Sequence, residues 1–259
     1  MAQPATDEAI YQYVKKLSSA TLADIGTTFD ISESTVRRAL ARLEKLGWLR
    51  RFRGGAIALT SKATFYDRRL QDYYAEKEAI ACKAAEQVKD GSNIILLGGT
   101  TVSAMCRYLH GKKISVITNS LTVIDQLKGS SGIELIALGG VYNHDEYEFV
   151  GTMTNIGLRF MRADSLFLSC VGFSPDTGFT TNHIDAVEFY RLCMKNANKT
   201  FVLTDSSKAE YTGIAVFAGV HEIDCLITDT GLAQETIQSF NETQIEVCIT
   251  KQLGVDKNV

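Results

Sequence analysis

The sequence predicts an α/β protein of two domains: a winged helix-turn-helix at residues 1–58, a linker at 59–75, and a larger domain at 76–259 on a mostly parallel sheet. Three observations carry this. Two short capped helical patterns and an alternating basic run lie between Thr21 and Ile57. Short β-rich runs alternate with helical ones beyond Gly91. At 259 residues, the chain has room for a small domain plus one of ordinary core size.

In the first domain, Thr21 can cap a short helix, with Asp24 nearly completing a capping box; the chain breaks at Asp30, and Ser32 caps a second helix. In that second helix Val36, Leu40 and Leu43 fall on one face, while Ser34, Arg38 and Lys45 project from the other, flanked by Thr35, Arg37 and Arg42. The polar face suits a major groove, because arginine can donate two hydrogen bonds to guanine and hydroxyls reach phosphates or base edges. After Gly47 the run Trp48 to Arg53 alternates apolar and basic, and Gly54-Gly55 permits a tight turn before Ala56-Ile57. That is a wing, with Arg50, Arg51 and Arg53 for phosphate oxygens. Ser34, Thr35, Arg37 and Arg38 are therefore expected at bases or nearby phosphates, Arg42 and Lys45 at phosphates, and the cap residues Thr21 and Ser32 beside them. The plainer reading is a three-helix domain with a solvated basic face.

Charge supports the sharper reading because it is unevenly placed. The whole chain carries −3, yet residues 1–58 hold nine Lys/Arg against six Asp/Glu, leaving −6 for the remainder. Such a local footprint predicts salt-sensitive DNA affinity, strengthened by dimerisation. The six cysteines, Cys82, Cys106, Cys170, Cys193, Cys225 and Cys248, show no CxxC pairing and sit among apolar neighbours, as buried thiols do. No signal peptide and no apolar run of membrane-spanning length is present, so a cytoplasmic protein without membrane contact is expected.

In the second domain a helical pattern at Ile80, Ala84, Ala85 and Val88 leads into NIILL, TTVSAMCRYL, KISVIT, SLTVIDQL, IELIAL, TNIGLRFM, SLFLSC, AVEFYRLCMKNA, TFVLT, CLITD, AQETIQSF and IEVCI. The alternation implies βα units on a parallel sheet, whose ligands sit at strand carboxyl ends. Five such ends attract attention. Gly98-Gly99-Thr100-Thr101 after NIILL reads as a phosphate cradle, glycines admitting an anion to helix N–H groups, or as a mere strand-to-helix turn. Asn119-Ser120 after KISVIT either touches a ligand or caps a helix. Gly139-Gly140 opens a polar loop, Val141 to Phe149, holding Tyr142, His144, Asp145 and Glu146, which either selects hydroxyls or is solvated. Gly172 and the turn signal Asp176-Thr177-Gly178 follow SLFLSC. Asp205-Ser206-Ser207-Lys208 after TFVLT offers an acceptor for a hydroxyl and a cation for a phosphate. His183 has no metal-ligand spacing to His110, His144 or His221, which points to a structural or solvent role and to no metal.

These residues resemble the DeoR family of bacterial transcriptional regulators from about Ala9 to Ile249. SESTVRRAL, LEKLG and the basic GGA wing are similar to its DNA-binding signature; EKEAIACKAA, GGTT, VITNSL, ALGGVY, the VGF-to-DTGFT segment and LTDSSK with LITD are similar to successive blocks of its sensor domain. The resemblance implies a sensor similar in fold to ribose-5-phosphate isomerase and glucosamine-phosphate deaminase, and a phosphorylated sugar as effector. It also implies a sequence-specific regulator, a repressor of sugar-uptake or catabolic genes, acting on a double-stranded operator as a dimer or tetramer without cofactor.

Departures bear on chemistry. Ala39 stands where the family has an aspartate after the arginine pair, Leu97 precedes the GGTT turn in place of an aspartate, Val171-Gly172 replaces an aspartate-glycine pair, and Tyr190 replaces a lysine. Proton abstraction beside a carbonyl needs a positioned base, which leucine and valine are not. A binding-only pocket is expected, with Gly98 to Thr101 and Lys208 on phosphate, Asp205 on a hydroxyl, and Asn119, Ser120, Gly139, Gly140 and Gly172 around the sugar. The rivals are a sugar-phosphate isomerase or deaminase carrying a DNA-binding domain, which would need Asp205, Asp185 or Glu188 as base, and a second domain serving only to oligomerise.

Overall fold

The computed structural model describes residues 7–17, 19–45, 48–52, 54–58 and 65–251, with the side chains of Glu8, Arg50, Ile57, Ala58, Phe65, Arg68 and Gln71 outside that description. Two compact units divide between Asp67 and Arg68. The first contains α1 (Asp7–Leu17), β1 (Ser19–Thr21), α2 (Leu22–Phe29), α3 (Glu33–Lys45), β2 (Leu49–Phe52) and β3 (Gly55–Ala58). Its strands form an antiparallel sheet in the order β1-β3-β2.

Local chemistry sets these boundaries. The Thr21 hydroxyl donates to Asp24 Oδ2 at 2.6 Å and accepts the Asp24 N–H at 3.1 Å, while Thr21 N–H reaches the same carboxylate, so the capping box is complete. Thr21, expected also beside DNA, thus has its hydroxyl committed to the cap. Asp30 ends α2 in the left-handed region, φ 52°, and Ser32 Oγ accepts the Thr35 N–H at 3.3 Å to open α3. Val36, Leu40 and Leu43 are fully buried as their spacing predicts, joined by Ile10 and Val14 from α1. Ala39 is 2% exposed, so it belongs to this core and an aspartate there would lose its hydration. In the wing, Gly54 takes φ +100° and a Cβ on Gly55 would lie 2.4 Å from the Ala20 carbonyl oxygen.

The 59–75 stretch, expected as a linker, contains α4 (Phe65–Gln71) and the start of α5 (Tyr74–Ala85). Buried Lys77 explains how a segment without a clear apolar face stays helical: its ammonium donates to the carbonyl oxygens of Arg69 and Asp72, the latter at 2.6 Å.

The second unit continues with β4 (Asn93–Leu96), α6 (Thr100–Met105), β5 (Ile114–Thr118), α7 (Leu121–Leu127), β6 (Ile133–Ala137), β7 (Val141–Asn143), β8 (Glu148–Val150), α8 (Thr152–Leu158) and β9 (Ala163–Leu168). Then come β10 (Gly172–Ser174), β11 (Gly178–Thr181), α9 (Ala186–Lys195), β12 (Ala197–Leu203), β13 (Ala215–Ala218), β14 (Cys225–Asp229), α10 (Gln234–Asn241) and β15 (Glu246–Thr250). Seven strands form a wholly parallel sheet in the order β15-β14-β12-β9-β4-β5-β6. Alternate residues feed two cores: Ile95, Leu166, Leu168 and Val202 on one face, Ile94, Leu96, Phe167 and Leu203 on the other.

Every helical and β-rich run read in this region forms its expected element. Two antiparallel additions were not foreseen: the β7–β8 hairpin inside the polar loop, and a small sheet in the order β10-β11-β13. Runs of three or four residues containing glycine are too short for a period to show. Four of the cysteines are buried as expected, but Cys82 and Cys248 are half-buried.

From β4 the chain winds outward through β5 to β6, then returns to lay β9 on the opposite side of β4. That reversal makes the crevice beyond the carboxyl ends of β4 and β9 the place where such a sheet receives a ligand.

Candidate functional site

The switch-point crevice is a cleft lined by Gly98, Gly99 and Thr100 at the end of β4 and by Ser169, Cys170 and Val171 at the end of β9. Gly99 adopts φ +117°, and a Cβ there would already touch Ser169 Cβ at 3.4 Å. It is this positive φ, rather than the contact, that glycine alone adopts without strain. Lys208 lines the cleft and is fixed by donating from Nζ to the Cys170 carbonyl oxygen at 3.0 Å. A cation, a glycine turn and a helix start therefore share one cavity, the combination an anion requires.

The same cleft is lined by a charged cluster whose assembly the sequence did not reveal. Arg69 from α4 pairs through Nη2 with Glu146 Oε2, and His183 Nε2 stands 3.4 Å from Glu146 Oε1. Burial alone would raise the Glu146 carboxyl, but the hydrogen bond from His183 and the charge of Arg69 outweigh it and hold it below the usual carboxylate range. His183 is raised, chiefly by its hydrogen bond to Glu146. Glu148, 7% exposed, is pushed up to about 7 by burial and by the neighbouring Glu146 charge. Buried Lys77 is lowered to about 8 by burial, against the opposing pull of Asp205.

Of the expected ligand contacts, Gly98, Gly99, Thr100 and Lys208 meet in the cleft. The others do not line this cleft. Thr101 is buried with no hydrogen-bond partner for its hydroxyl among the described residues. Ser120 caps α7 and bonds Thr122. Gly140 makes room for Thr154, whose hydroxyl donates to the Gly139 carbonyl oxygen at 3.0 Å. Gly172 is pressed against the Tyr211 backbone, where a Cβ would lie 2.0 Å from the carbonyl oxygen. Asp205 is 1% exposed and accepts the Ser207 hydroxyl, off the cleft wall. Asn119 lines a second cleft, which shares Glu148 and Tyr190 with the first. Arg69, Glu148, Ser169 and Thr181 were missed as cleft residues, while Glu146, read as selecting hydroxyls or solvated, and His183, read as structural or solvent, both line the cleft. The one available signal was the acidic composition of the loop now seen as the β7–β8 hairpin.

On the first unit, the Ser32 hydroxyl lies 3.0 Å from that of Ser34 and 2.9 Å from that of Thr35. Arg37 pairs with Glu33 and Arg51 with Glu44, while Arg42 grips Asp7 through Nε and Nη2 at 2.7 and 2.6 Å. Arg42, expected on phosphate, therefore ties α3 to α1, and its hydrogen bonds lower the Asp7 carboxyl. Arg38 makes only a 3.4 Å contact to Thr35 Oγ1 among the described residues, and Lys45 is exposed. Arg50 lies on β2 with its side chain outside the description, and Arg53 lies outside the described residues.

Comparison with known proteins accounts for both units. The profile of the DeoR-like helix-turn-helix domain matches residues 7–62, and that of the DeoR C terminal sensor domain matches residues 72–230. The HTH-type transcriptional repressor GlcR of Bacillus subtilis is 32% identical over 246 residues, covering 94% of this chain and 95% of its own. The lactose phosphotransferase system repressor of Lactococcus lactis is 33% identical over 241 residues, covering 91% and 94%. Among solved structures, ribose 5-phosphate isomerase A of Methanocaldococcus jannaschii overlays 51% of this chain and 53% of its own at a TM-score of 0.38 and 20% identity. Among the described residues no helix is long and apolar enough to cross a membrane, and no group of His, Cys, Asp and Glu could hold a metal ion.

Proposed function

The chain belongs to the DeoR family of transcriptional regulators, and from that premise we propose that a phosphorylated sugar in the strand-end cleft controls its grip on operator DNA. Relatives matching over nine-tenths of its length are named as regulators and repressors, and it too is a DNA-binding regulator and not an enzyme. The observation that carries the effector reading is the meeting of Gly98, Gly99 and Thr100 with Lys208 at the sheet's topological switch point. Arg38, Ser34 and Thr35 read bases, Lys45 and the wing arginines hold phosphates, and the protein acts as a homo-oligomer, dimer or tetramer, in the cytoplasm. The effector shifts the population of protomer arrangements that match operator half-sites, because it binds one arrangement better than the other.

Thermal melting tests the effector site. Hexose and pentose phosphates are expected to raise the melting temperature, since a ligand that binds only the folded state stabilises it. Lys208→Ala is expected to weaken the best ligand about tenfold, the loss of one charge-assisted hydrogen bond. Undiminished stabilisation of that variant places the ligand elsewhere.

A further inference from the structure

Beside its second cleft the larger unit presents a group of large apolar side chains to water. Met153 and Ile156, three positions apart on α8, are 70% and 42% exposed, and Phe160, in the turn that follows, is 87% exposed. Val141, 71% exposed, reaches this region through the β7–β8 hairpin, where it pairs with Val150 just ahead of α8. Ile184, 65% exposed, lines the second cleft just before α9, which packs beside α8. Single exposed apolar residues are ordinary on a monomer. Several gathered on one helix, its hairpin and the start of the neighbouring helix mark a surface that another protein covers.

The same surface carries both halves of an ion pair that it does not form. Arg159, which ends α8, is exposed, and so are Asp185 and Glu188 on the α9 side of the second cleft. None of these three side chains has an ion-pair or hydrogen-bond partner among the described residues. Methionine, aromatic residues and arginine are the types that interfaces collect. An apolar patch with a free cation to one side and free acids to the other is complementary to itself. About a two-fold axis, the arginine of each copy meets the acids of the other while the apolar residues close over one another. A foreign partner would have no need of both signs.

We infer that this surface joins two copies of the chain, with Met153, Ile156 and Phe160 at its centre and Arg159 bonded to Asp185 and Glu188 of the partner subunit. The inference rests on the homo-oligomer reading above and is independent of what occupies the strand-end cleft. Glu148 and Tyr190 line both clefts, so two side chains connect the contact surface to the effector site.

Sedimentation velocity on the full chain over a range of concentrations tests it. The wild type is expected to sediment as a species heavier than the 28.5 kDa monomer. Phe160→Glu is expected to weaken self-association at least about tenfold, as the loss of a central aromatic anchor does. Arg159→Glu, which sets like charges against each other, is expected to weaken it about tenfold as well. Combining Arg159→Glu with Glu188→Arg is expected to restore association to within about threefold of the wild type, a recovery that a folding defect cannot produce. Either single variant assembling as tightly as the wild type, or a paired exchange that recovers nothing, overturns the inference and leaves the homo-oligomer reading standing. A wild type that stays monomeric throughout removes both.

Discussion

At pH 8 the ligand-free Glu148→Gln variant is expected to be about 2 to 3 kcal/mol more stable than the wild type, with the gap narrowing to about 1 kcal/mol or less at pH 5. Folding raises the Glu148 carboxyl from 4.5 to about 7, mainly through burial and then through the Glu146 charge. A carboxyl raised on folding favours the folded state while protonated; that contribution is complete below about 4.5 and disappears as pH climbs through about 7. Glutamine imitates the neutral form at every pH, so the difference between the two proteins isolates this one group. His183, also raised, loses its contribution in the same direction as pH rises, but it is present in both proteins. Denaturant titrations at half-unit pH steps read the result. Parallel curves for wild type and variant would mean that Glu148 remains hydrated or finds a partner. The wild type keeps a destabilising acid at its cleft, the trade between stability and function common at ligand sites.

Arg38→Ala is expected to reduce operator affinity by about 1 to 3 kcal/mol and to relax preference at one base pair, as the loss of a bidentate arginine–guanine contact does. The structure separates Arg38 from its neighbours. Arg37, Arg42 and Arg51 are engaged by Glu33, Asp7 and Glu44, whereas Arg38 keeps only the long contact to Thr35. An arginine already holding a carboxylate must share or exchange that partner before it can grip DNA, so Arg42→Ala is expected to cost less affinity than Arg38→Ala. Fluorescence anisotropy on an operator and its single-base variants distinguishes the roles. An equal loss on every sequence would make Arg38 a phosphate contact.

The DNA-binding unit was legible because its signals are local. The Thr21–Asp24 cap and the Val36, Leu40, Leu43 spacing each lie within about two helical turns, and both take the expected form. The parallel sheet was legible for a similar reason: strands buried on both faces read as continuous apolar runs. The cleft was half legible. Gly98 to Thr100 and Lys208 sit at strand ends, where topology alone directs attention. Arg69, Glu146, Glu148 and His183 come from a helix, a hairpin and a loop separated by dozens of residues, and no spacing rule connects them. Asp205 is buried and accepts the Ser207 hydroxyl away from the cleft lining, which cannot be read from a tetrapeptide. Asp7 shows the converse, since the partner of Arg42 lies 35 positions away in a helix the sequence reading did not single out.

The most direct test of the central claim, that cleft occupancy sets the grip on DNA, is an anisotropy titration of the full chain on fragments adjoining its gene, with and without the best sugar phosphate. Affinity is expected to change by at least about fivefold in the wild type, the low end of ordinary allosteric coupling. In Lys208→Ala the same ligand concentration is expected to leave it nearly unchanged. DNA affinity indifferent to every sugar phosphate, or an equal response in Lys208→Ala, would contradict the account.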